Sequence, residues 1–174
     1  MKRTRVLVIE DSKTVRSHIV DVLSSDPELE VVGEAGDGRT GVELCERLRP
    51  DVVTLDMMLP VMTGLAATEH IMAYFPTPIL IVSASTNRGE LFRTYEALAA
   101  GALDVLEKPL GDEGEGEWDR RLIGTVKLIA RIKVITHIRA KLGARATAGA
   151  CDEQALPSPP SDRPRLIAVG VSTG

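Results

Sequence analysis

The chain has 174 residues, 44% hydrophobic and 26% charged, with a formal net charge of −4. That is enough apolar material for a packed core, and the acidic balance gives no argument for binding nucleic acid. Cys45 and Cys151 make no disulfide framework, and the apolar run after the basic start "MKRTR" is only "VLVI" before Glu10 and Asp11 interrupt it, too short for a signal peptide or a membrane span. The reading is a cytoplasmic protein with no membrane insertion.

In chain order, "RVLVIE" is a short β-branched run, and "SKTVRSHIVDVLSS" has helical spacing at Val15, Ile19, Val22 and Leu23. "LEVVGEA" reads as a second strand. "DGRTGVELCERLR" reads as a second helix, with Asp37 placed to cap it and Cys45 in its core pattern. "DVVTLD" and "TGLAATEHIMAYF" form a third pair, and "PILIVS" and "RGELFRTYEALAAG" a fourth. "ALDVLE" is a fifth strand, and a long helix is expected from Trp118 to Leu142. Short apolar strands alternating with helices imply parallel βαβ units, a doubly wound α/β sheet with helices on both faces.

Within the last helix, Leu122, Val126 and Ile129 can face the sheet. Leu128, Ile132, Ile135 and Leu142 follow near-heptad spacing on another stripe. A solvated basic end competes with a stripe that docks on a following domain or on a second copy, which would give a homodimer through 118–142. From 143 to 164 the sequence "GARATAGACDEQALPSPPSDRP" has no apolar period and reads as a linker. The expected organisation is a domain over 1–142, a linker over 143–164, and the start of something else over 165–174.

In an open parallel sheet, ligands bind beyond the carboxyl ends of the strands. Those ends carry Glu10 and Asp11, Asp56, Ser83 and Lys108. Alone, Asp11 caps a helix, Ser83 starts a turn and Lys108 is a solvated lysine. Asp56 follows "VVTL" directly, where an unpartnered charge is costly. Together they are three acids, a hydroxyl and a cation at one edge. Facing carboxylates favour a divalent cation, and magnesium prefers oxygen ligands. A carboxylate can attack a phosphoryl group and form an acyl phosphate, with metal and lysine neutralising the charge and a hydroxyl bonding a phosphoryl oxygen. The arrangement therefore suggests phosphoryl transfer onto Asp56, with Glu10 and Asp11 holding Mg2+.

In order and spacing, "VLVIEDS", "VVTLDMMLPVMTG", "ILIVSAS" and "GALDVLEKP" resemble the response-regulator receiver domain of two-component signalling over roughly Thr4 to Leu142. The resemblance implies the flavodoxin-like fold with strand order 2-1-3-4-5 and a sensor histidine kinase as phosphodonor. It implies Asp56 as phospho-acceptor, with Glu10, Asp11, Asp56 and the backbone carbonyl of Met58 as the magnesium set. It makes Ser83 the switch hydroxyl and Lys108 the phosphoryl contact, with a cis bond before Pro109. Receivers usually carry an aromatic residue three places before that lysine; here it is Val105, so switching by a swinging ring is not expected.

The tail "LIAVGVSTG", arriving after a receiver and a linker, resembles the start of the catalytic domain of the chemotaxis protein-glutamate methylesterase family. By that match Ser172 is the esterase nucleophile. Its histidine and aspartate partners are expected downstream, so the piece is expected to be inactive as an esterase. The full-length parent would act on methylated chemoreceptors. The alternative is a receiver acting by protein–protein contact or on a different output domain. An aspartyl phosphatase of the haloacid dehalogenase type wants a second aspartate two residues after the first, where this chain has Met58.

Overall fold

The computed structural model describes residues 3–84, 95–109 and 116–134. The order is β1 (Thr4–Ile9), α1 (Lys13–Ser24), β2 (Leu29–Ala35), α2 (Gly38–Leu48), β3 (Val52–Leu55), α3 (Gly64–Tyr74) and β4 (Ile79–Ser83). A helical stretch at 95–99 (α4), β5 (Asp104–Glu107) and α5 (Glu117–Ile129) follow. The five strands form one all-parallel sheet in the order β2-β1-β3-β4-β5, the doubly wound flavodoxin-like topology read from the sequence.

Residue alternation along the strands builds two cores. Leu7, Ile9, Val53, Leu55, Ile79 and Ile81 face a cluster with Val42, Cys45, Ala67, Ile71 and Ala97. Val6, Val8, Val52, Leu80 and Val82 face the other, with Ile19, Leu23, Trp118, Leu122 and Val126. Strands buried on both faces read as continuous apolar runs, which is why "VLVI" and "ILIV" carry so few polar residues. Three helices start on side-chain caps: Ser12 accepts from the Val15 N–H, Asp37 from Thr40 and Thr63 from Ala66. Among the described residues no helix is long and apolar enough to cross a membrane.

The last helix differs from the expectation. It ends at Ile129, and 130–134 are turn and coil. The Arg131 and Ile132 N–H groups donate to Leu128 and Ile129, closing a tight three-residue turn. The cause is the extent of the sheet: Trp118, Leu122, Val126 and Ile129 use up the face it offers, and the β-branched Ile132 and Val134 beyond it have weak helix propensity. Val134 instead packs against the α2–α3 core cluster. The stripe expected on one helix is thus divided. Leu128 and Ile132 are exposed, while Ile135 and Leu142 lie outside the described residues, as do the linker and Ser172.

Candidate phosphoryl-acceptor site

The strands end at the same edge of the sheet, and their registers bring the side chains together. The Asp56 N–H donates to the Ile9 carbonyl at 3.0 Å, so the residue after β3 lies beside the end of β1. The Lys108 N–H donates to the Ser83 carbonyl at 2.9 Å, fixing the residue after β5 beside the end of β4. Carboxylate oxygens of Glu10, Asp11 and Asp56 all lie within 4.8 Å of one another. Lys108 Nζ sits 2.8 Å from Asp56 Oδ2, and 3.0 and 2.8 Å from the two Glu10 oxygens. The sequence edge and the folded edge coincide for all four groups.

Glu10 and Asp56 are buried, while Asp11 is exposed. Burial pushes the Glu10 carboxyl above its ordinary value, against the hydrogen bond from Lys108, and the Asp56 charge adds to the rise. Burial pulls Lys108 down, but hydrogen bonds to Asp56 and Glu10 outweigh it and hold the ammonium above the usual lysine value. Three carboxylates and one ammonium sum to a formal charge of −2. An all-oxygen donor set of that charge fits a hard divalent cation. Met58 donates its N–H to Asp56 Oδ1 at 3.2 Å, which places the Met58 backbone against the Asp56 carboxylate.

Ser83 is 1% exposed, and its Oγ has no hydrogen-bond partner among the described residues. Val105 stands opposite Ile81 in the sheet, half-buried against the α2–α3 cluster, so an aliphatic side chain fills the place discussed above. The expected cis bond is absent: every peptide bond among the described residues, Lys108–Pro109 included, is trans. Trans is the lower-energy isomer even before proline, by about 0.5–1 kcal/mol, and Lys108 reaches both carboxylates without the cis form.

Sequence reading missed two neighbours of the site. Arg16 on α1 donates through Nη1 to the Glu10 carbonyl at 2.6 Å; its only signal was a cation in the first turns of an otherwise apolar-faced helix. Val61 has φ +66°, and the Met62 N–H donates back to the Pro60 carbonyl at 2.7 Å. That is a γ-turn centred on a β-branched residue, a strained conformation that propensity does not foresee. The turn feeds α3, whose first residue, Gly64, lies so close to Asp56 that a Cβ there would stand 2.2 Å from the Asp56 carbonyl oxygen.

A five-stranded parallel sheet in this order, with an acidic edge bridged by a lysine, defines a doubly wound, flavodoxin-like class of α/β domain. Residues 6–114 match the family model described as response regulator receiver domain, and the chain belongs to that family. Among curated proteins it is 45% identical, over 98% of its length, to protein-glutamate methylesterase/protein-glutamine glutaminase 3 of Anaeromyxobacter dehalogenans. It is 43% identical to the corresponding enzyme 4 of Myxococcus xanthus, again over 98%. Each alignment covers 48% of the relative, so the chain spans about half the length of the curated proteins it matches. Among solved structures it superimposes on the response regulator domain of Thermotoga maritima CheB with a TM-score of 0.68 at 34% identity, covering 76% of this chain and 99% of that one.

Proposed function

We propose that this chain is the phosphorylation-controlled regulatory part of a chemotaxis-type protein-glutamate methylesterase. The observation that supports it best is the Lys108 bridge between Asp56 and Glu10 at 2.8 Å, in a chain whose curated relatives carry that enzyme name. A sensor histidine kinase supplies the phosphoryl group. An Asp56 carboxylate oxygen attacks phosphorus, the phosphorus–nitrogen bond of the phosphohistidine breaks, and the leaving imidazole takes a proton from solvent. Lys108 neutralises charge on the transferred group, and the buried Ser83 hydroxyl, without a partner among the described residues, donates to a phosphoryl oxygen. Glu10, Asp11, Asp56 and the Met58 carbonyl would hold Mg2+, which supplies further charge neutralisation when bound.

The organisation that goes with this reading is a receiver over 1–142, a linker over 143–164, and the first strand and nucleophile turn of an esterase domain over 165–174, with Ser172 as its nucleophile. Methylated chemoreceptor glutamates are the substrate class of the whole enzyme. Activation of a serine nucleophile needs an oriented base, and the 174 residues by themselves are expected to release no methanol from methylated receptor membranes.

The test is intact-mass measurement after incubation with a small acyl phosphodonor and magnesium. A single labile phosphoryl adduct is expected, absent from Asp56→Asn. An adduct that persists in Asp56→Asn refutes the assignment.

A further inference from the structure

The turn that carries Glu10 and Asp11 is three residues long, from Glu10 to Ser12, between the end of β1 and the start of α1. Its backbone is tied down from both sides. The Glu10 N–H donates to the Ala35 carbonyl at the end of β2, 3.0 Å away. The Glu10 carbonyl accepts from Arg16 Nη1 at 2.6 Å, and the Asp11 carbonyl lies 3.4 Å from the same nitrogen. Arg16 is itself held: its Nε is 3.6 Å from Glu34 Oε2, and the guanidinium lies against Gly36, where a Cβ would come within 3.3 Å of Nη1. The cation therefore spans from the β1–α1 turn to the end of β2. It contacts neither Asp56 nor Lys108 among the bonds of the described residues, so its effect on the site runs through the backbone of the acidic pair.

We propose that Arg16 is a positioning residue for the cation site, preorganising Asp11 by clamping the two carbonyls that flank its Cα. This rests on the proposed reading of the acidic edge as a magnesium site. Asp11 is exposed, and its carboxylate has no hydrogen bond to a described neighbour that would hold it, so the backbone is what keeps it within reach of Glu10 and Asp56. Without Arg16 both carbonyls turn to water and the turn gains conformations. Metal binding then has to order Asp11 as well as coordinate through it. The bonds around metal ligands typically govern affinity by 10–100-fold when removed. Arg suits the task because one planar fork can serve a carbonyl pair and a carboxylate together, which a lysine ammonium does less well.

The experiment measures magnesium affinity directly, by calorimetry and by the rise in melting temperature with magnesium, on the 174-residue chain and on Arg16→Met, Arg16→Lys and Glu34→Gln. Arg16→Met is expected to bind magnesium about 10-fold more weakly or worse. Arg16→Lys falls between it and the parent, and Glu34→Gln loses least. Phosphorylation of Arg16→Met from a small phosphodonor shifts to a higher half-saturating magnesium concentration but reaches the parent plateau, which a general loss of structure would not do. Parent-like magnesium affinity in Arg16→Met overturns the proposal; if that variant does not fold, parent-like affinity in Arg16→Lys does the same. A parent chain that binds no magnesium at all overturns instead the reading of the site on which the proposal stands.

Discussion

Thr54 is expected to be a liability that a single atom change removes. It lies on β3, 1% exposed, and its Oγ1 has no hydrogen-bond partner among the described residues. In the sheet it stands between Val8 of β1 and Leu80 of β4, both members of the apolar cluster that includes Leu122 and Val126. Burying an unpaired hydroxyl costs about 1–3 kcal/mol by mutational measure. Thr54→Val puts a methyl where the hydroxyl is, opening no cavity and adding almost no volume. The variant should therefore gain about 1–2 kcal/mol, and its melting temperature should rise by roughly 4 °C for each kcal/mol at this size. Urea unfolding followed by Trp118 fluorescence reads this cleanly, because Trp118 is the chain's only tryptophan and is buried at 3%. The midpoint should move up with the slope unchanged. Thr54→Ser, which keeps the hydroxyl and loses the methyl, should move it down. A Thr54→Val variant that is neutral or less stable would show that the hydroxyl has a partner, such as a buried water, and would refute the reasoning.

Gly64→Ala should lose about 1–3 kcal/mol in the same assay, since its Cβ meets the Asp56 carbonyl oxygen and Met57 Cα, backbone atoms that cannot swing aside. Val61→Gly should gain about 0.5–1 kcal/mol, because the residue is 75% exposed and what it gives up is a positive φ more than packing. Asp37→Ala should cost about 1 kcal/mol at neutral pH through loss of the α2 cap. The Thr40 N–H and hydroxyl hold the Asp37 carboxyl below the ordinary aspartate value, so its contribution is complete above that value and is lost as pH falls through the lower folded-state one; the difference between parent and variant, measured by urea titration, should shrink in acid.

The sheet was legible because strands covered on both faces leave a plain trace, and the acidic edge was legible because the polar residues interrupt that trace at the same place in each unit. Glu10, Asp56 and Lys108 break apolar runs and so announce themselves. Arg16 does not, since a cation in an amphipathic helix is indistinguishable from a solvated one until its partners, the carbonyls of Glu10 and Asp11, are in view. The end of α5 was missed for a related reason. Helical spacing continues past Ile129 in the sequence, but spacing records which side chains could share a face, not whether a surface remains to receive them. The proline isomer at 109 turns on an energy difference too small for local sequence to decide.

The pairing of α5 with the connection before β2 sets a distance across the domain. Lys127 near the end of α5 pairs with Asp26, and also with Glu28, in the connection that precedes β2. The end of α5 therefore lies at the edge of the sheet where strands begin, while Asp56 lies where they finish. At about 3.3 Å per residue, strands of four to six residues separate the two edges by roughly 13–20 Å. The end of α5 is thus held at the far rim from Asp56. A change at the acidic edge can reach that rim only as a change in how the faces of the domain are shaped, with the sheet as the rigid beam between the two.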